Sequence, residues 1–138
     1  MQQRPILEAG DIQRLLAAAT QEANENSWAV SIAVVDEGGH LLAFSRLPGA
    51  APSSAQIAID KARSAALTRR PTHFFADMLN AGQLGAASLH GVIPMAGGLP
   101  LIHGAHALGG IAASGVKAEF DARIAAAGRD ALGLDATF

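Results

Sequence analysis

Apolar positions recur with helical spacing near the start of the chain. Between Asp11 and Glu25, residues Ile12, Leu15, Leu16 and Ala19 follow the i, i+3, i+4, i+7 pattern of one helix face, with Asp11 placed to act as N-cap. Asn24 to Ser27 ends that pattern. Val30 to Val35 is then a dense apolar run rich in β-branched residues, and Leu41 to Leu47 is a second. Asp36, Glu37, Gly38 and Gly39 lie between them, which predicts a tight β-hairpin. The first strand is apolar at both alternating sets of positions. Such a strand needs cover on both faces, from helices or from a partner subunit.

Pro48 to Pro52 reads as a loop, followed by Ser53 and Gln56 at capping-box spacing. The helix this predicts runs through Ile57, Lys61 and Ala65 to about Thr68. Ala58, Ala62, Ala65 and Ala66 would let it lie close to a sheet. Arg69 and Arg70 suit its negative end and Pro71 stops it. Thr72 is expected to cap a shorter helix through Leu79. Nine of the fifteen glycines then fall between Gly82 and Gly115. Val92–Met95, Pro100–His103 and Leu108–Ala113 read as three more strands, and Glu119–Ala127 as a last helix. This order predicts one α+β domain over residues 1–138, with five strands in a mostly antiparallel sheet. A doubly wound parallel sheet would need strands and helices to alternate throughout.

Composition narrows the chemistry. Half of the residues are apolar but only 4% are aromatic, so the core must be built from Ala, Val, Ile and Leu. A net charge of -2 supplies no basic field for nucleic acid or an anionic membrane surface. The absence of cysteine removes disulfides, thiolate nucleophiles and cysteine-ligated metals. No secretory pattern opens the chain and no apolar run approaches the ~20 residues of a membrane span, so the cytoplasm is the expected location.

Asp36 and Glu37 sit where turn chemistry explains them. Lys61 lies on or beside the alanine-rich helix face: buried, it would need a partner or a ligand anion; at the edge, it would snorkel to water. Gly97 and Gly98 can bring bare backbone against a ligand, and Ser114 and Gly115 precede a helix N-terminus, which favours anions. His103 and His106 would point to opposite faces of a straight strand, and could share a ligand only if Gly104 folds the chain sharply. His40 starts a strand, His73 starts a helix, and His90 could line a pocket. No GxGxxG, GxxxxGK[ST] or GxSxG motif is present, so nucleotide binding and the esterase elbow lack support.

These pieces also occur in a familiar order. The stretch Ser31–Gly39 (Ser-Ile-Ala-Val-Val-Asp-Glu-Gly-Gly), Leu41–Arg46, Gly49 and Ala50, Ile57–Ala62, Pro71 and Thr72, Gly97–Pro100, and Ser114 and Gly115 followed by Asp121 together resemble the GlcG/HbpS family. That family includes the C-terminal domain of PduO-type proteins. The resemblance implies a profilin-like three-layer α/β/α sandwich, homo-oligomers, and haem binding or haem handling as the function. In some haem-binding relatives an axial histidine comes from the first helix. Here Asp11 to Ser27 offers only Asn24 and Asn26, so the resemblance assigns no iron ligand. His40, His90, His103 and His106 are the available candidates. Residues 111–116 also read Ile-Ala-Ala-Ser-Gly-Val where relatives are closer to Ile-Gly-Val-Ser-Gly-Gly. Two other readings stand beside haem. One is an isomerase, lyase or hydrolase acting on an organic acid, with Lys61 holding the carboxylate and a histidine such as His90 as acid/base. The other is an oligomeric accessory protein without chemistry of its own.

Overall fold

A computed structural model describes residues 1–136. The elements are α1 (Ala9–Glu25), β1 (Ser31–Asp36), β2 (Leu41–Arg46), α2 (Ser53–Thr68), α3 (His73–Asn80), a 3-10 turn (Leu84–Ser88), β3 (Gly98–His103), β4 (His106–Ser114) and α4 (Ala118–Ala131). The strands form one antiparallel sheet in the order β2-β1-β4-β3. α1 and α4 cover one face through Leu15, Ala19, Ile124 and Ala125, which pack on Ile32, Val34, Leu101 and Ile111. α2 covers the other face through Ala58, Ala62 and Ala66, against Ala33, Val35 and Ala112.

β1 is buried on both faces, as its composition demanded. Its cover comes from this chain's own helices, so the strand no longer argues for a partner subunit. The hairpin is held by Asp36, whose Oδ1 accepts hydrogen bonds from the Gly38 and His40 amides, both at 2.9 Å. Gly39 adopts the positive φ (+83°) that closes the turn.

Among the described residues four strands form, not five. Val92–Met95 is an irregular segment, because Gly91 turns the chain with φ +72° and Pro94 has no amide to donate. The Ile93 amide instead donates to the Ser64 hydroxyl on α2 at 2.9 Å. The helix starts also differ from their sequence signatures. Glu8, not Asp11, precedes α1, and the Asp11 carboxylate reaches back to accept the Glu8 amide at 2.9 Å. Ser53 and Gln56 form no capping box: Gln56 turns outward to Asp60, and Pro52 is the N-cap. Thr72 precedes α3 without capping it, since its hydroxyl accepts the Gly98 amide at 2.9 Å. α4 runs four residues past its expected end. Gly128 lets it do so against α1, where a Cβ would come within 2.9 Å of the Leu15 carbonyl oxygen.

Glycine sets the distance between α2 and the sheet. A Cβ at Gly110 would be driven into the Ala62 carbonyl oxygen, and neither main chain can yield cheaply. Gly110→Ala is therefore expected to destabilise the protein by about 1–3 kcal/mol, the usual range for overpacking, as measured by urea unfolding.

Candidate functional site

The residue that departs most from ordinary burial rules is Lys61. It lies two turns into α2, among alanines that press the helix against the sheet, and only 1% of it is exposed. Its side chain reaches the last residues of β4. There the ammonium donates to Asp121 Oδ2 at 3.1 Å and to the Ala113 carbonyl oxygen at 3.2 Å. Asp121 belongs to the first turn of α4 and is 2% exposed. Its second oxygen, Oδ1, accepts the Val116 amide at 3.2 Å. The pair thus joins helices from opposite faces of the sheet.

Both glycine segments meet here. A Cβ at Gly97, where φ is +126°, would come 2.8 Å from the Lys61 ammonium and 2.7 Å from the Ala113 carbonyl oxygen. A Cβ at Gly98 would lie 2.5 Å from the Lys61 carbonyl oxygen. Lys61, Ser114, Gly115 and Asp121 line a cleft of about 280 Å³, together with Ser53, Ser54, Ile57 and Met95. Ser54 is anchored by the Ala51 carbonyl oxygen at 2.6 Å and by Ser31 at 2.8 Å. The structure therefore gathers Lys61, Gly97, Gly98, Ser114 and Gly115 into one neighbourhood. Asp121 is the member that residue chemistry alone had left without a role. The alanine-rich face around Lys61 signalled that a buried amine would need a partner, but it did not say which carboxylate would supply it.

The histidines stay outside this neighbourhood. His40 is exposed beside the hairpin turn, and His90 is exposed beyond the 3-10 turn and does not line the cleft. His73 meets Asp77 on the surface at 3.0 Å. Gly104, with φ +61°, does fold the chain sharply, making His103 and His106 directly paired across the β3–β4 hairpin. Among the described residues, no group of three His, Asp or Glu side chains could hold a metal ion.

A second surface feature belongs to α1. Leu16, Ala17, Thr20, Gln21 and Asn24 form a shallow, largely apolar groove of about 550 Å³ on its outer side. Among the described residues, no helix is long and apolar enough to cross a membrane.

Burial pushes the Asp121 carboxyl above its usual range, and the Lys61 ammonium and nearby backbone amides pull it back only in part. The native state then takes up this proton before the unfolded chain does, so this group favours folding below its unfolded pKa and less as pH rises through its native one. In chemical denaturation at several pH values, the stability difference between wild type and Asp121→Asn should shift toward the wild type from pH 7 to pH 4. Lys61→Met leaves a buried carboxylate unpaired and should cost about 3–5 kcal/mol, whereas Lys61→Met with Asp121→Leu should recover most of that loss.

Comparison with known proteins gives these features a family. Residues 7–130 match the model described as haem degrading protein HbpS-like. Protein GlcG of Escherichia coli strain K12 is 39% identical over 114 residues, covering 83% of this chain and 85% of that protein. The crystal structure of HbpS superposes with a TM-score of 0.88 at 30% identity, covering 96% of this chain and 94% of that one. A PduOC:heme complex does so with a TM-score of 0.88 at 26% identity, covering 97% and 100%. The chain belongs to the HbpS-like family, with GlcG among its relatives.

Proposed function

We propose that this protein handles haem, taking the macrocycle against the outer face of α1. The observation that carries this reading is the α1 groove, whose apolar floor at Leu16 and Ala17 is the broadest of the clefts described above. Family membership and the haem-bound relative support it. The groove suits the porphyrin plane, which would bury apolar area on Leu16 and Ala17. It does not suit a firmly ligated iron. Its polar side chains are Gln13, Thr20, Gln21, Asn24 and Glu25, with no histidine or methionine among them.

The haem bound here is therefore held mainly by its ring, in a site suited to passing the group on. His40, His90, His103 and His106 are not among the residues that line the groove. Self-association belongs to the same reading: β2 is an edge strand that exposes Leu41 and Leu42. The organic-acid enzyme reading is not favoured, because no histidine stands beside Lys61 to move a proton.

Titration of the purified protein with haem should give a saturable Soret change without the bands of histidine-ligated low-spin iron. Leu16→Glu should weaken binding at least tenfold, since it places a charge under the ring. No spectral change at stoichiometric haem would remove the haem reading. Loss of the signal in His103→Ala or His106→Ala, but not in Leu16→Glu, would move the site away from α1.

A further inference from the structure

We infer that the cleft beside Lys61 is a binding site for a small organic monocarboxylate, separate from the α1 groove and independent of the haem reading. Hydrogen-bond satisfaction at the site carries the inference. An ammonium has three N–H donors, and Lys61 uses two of them, on Asp121 and on the Ala113 carbonyl oxygen. The third has no acceptor among the described residues, although the group is 1% exposed. Ser114 repeats the pattern. It faces the same cleft, is 6% exposed, and its hydroxyl has no hydrogen-bond partner among the described residues. The adjacent serines differ, because Ser31 and Ser54 bond each other and Ser54 also donates to Ala51. Two buried donors beside one cleft can be served together by a single acceptor group. A carboxylate, with its two oxygens, is such a group.

The backbone around the cleft favours the same charge. The first turns of α2 and α4 both border it, through Ser53 and Ser54 on one side and Ala118 and Asp121 on the other. α2 begins without a side-chain cap and has no acidic residue in its first turn, so its positive end carries no compensating side-chain charge. Its Ser54 and Ala55 amides donate to the Ala51 and Pro52 carbonyl oxygens. Asp121 limits how much negative charge the site can take. Its carboxylate offsets Lys61, leaving the pair formally neutral, and a phosphate dianion would be repelled by it. A single negative charge matches one free ammonium proton, one hydroxyl and the start of α2, whereas Glu119 and Asp121 already offset the start of α4.

Size sets the rest of the ligand. At about 280 Å³ the cleft lies at the small end of ligand pockets and cannot enclose a tetrapyrrole. Ile57 and Met95 offer apolar contact for a short carbon skeleton. The class that fits has a few carbons, one carboxylate, and room for a neighbouring hydroxyl or carbonyl oxygen.

The test is titration of ¹⁵N-labelled full-length protein with acetate, lactate and pyruvate, alongside lactamide as a neutral match and inorganic phosphate. Saturable movement of the Ser114 and Gly115 amide resonances is expected with at least one acid. No such movement is expected with lactamide, and phosphate should bind at least tenfold more weakly. Ser114→Ala should weaken the acid roughly tenfold or more, the effect of losing one hydrogen bond to a charged group. Lys61→Met with Asp121→Leu should abolish binding. If that double variant does not fold, Ser114→Ala decides the matter, because it removes one oxygen and leaves the ion pair intact. The inference is overturned if no acid binds saturably, if lactamide binds as well as lactate, or if Ser114→Ala leaves the affinity unchanged.

Discussion

The Lys61–Asp121 ion pair joins the two helical layers of this fold at the end of the sheet. α2 supplies the cation from one face and α4 the anion from the other, and both charges are almost wholly removed from water. Removing two charges from water costs several kcal/mol per ion, so the pair is poor evidence of added stability by itself. What it imposes is position. The amine has to emerge where β4 ends, the carboxylate has to sit in the first turn of α4, and Gly97 has to lie between them without a side chain.

Small residues carry that constraint through the interior. The α2 face against the sheet is built from Ala58, Ala62 and Ala66, and Gly98 and Gly110 let the helix main chain approach two strands closely. A larger residue on this face would lift α2 and draw the Lys61 amine away from Asp121. The opposite layer is conventional by comparison, with Leu15, Ile124, Ile32 and Ile111 filling the space under α1 and α4. One side of the sheet is therefore a normal aliphatic core, and the other is a close-packed seam that positions a charge.

This division separates two surfaces with different chemistry. The outer face of α1 is broad, shallow and apolar, suited to a flat hydrophobic ring. The Lys61 cleft is narrow, with polar donors and converging helix ends, suited to a small anion. Family membership bears on haem, the group that the family model and the PduOC complex name, and assigns it to neither surface. The second follows from unsatisfied donors that belong to this chain.

Local sequence chemistry determined a good deal by itself. The hairpin at Asp36 to Gly39, the extent of α2, the two-sided burial of β1 and the α+β class all follow from short-range patterning that tertiary contacts had no reason to override. Lys61, Gly97, Gly98, Ser114 and Gly115 stood out because each is unusual where it occurs. Their meeting was decided in three dimensions. Asp121 is sixty residues from Lys61, and no local pattern specifies a partner across that distance. Tertiary structure also overrode local signals, drawing the Thr72 hydroxyl to Gly98 and the Ile93 amide to Ser64 in place of a helix cap and a fifth strand. Local patterns report the hydrogen bonds a segment can make with itself. Which of them it keeps depends on the partners that folding brings within 3 Å, and on buried groups that cannot remain unpaired.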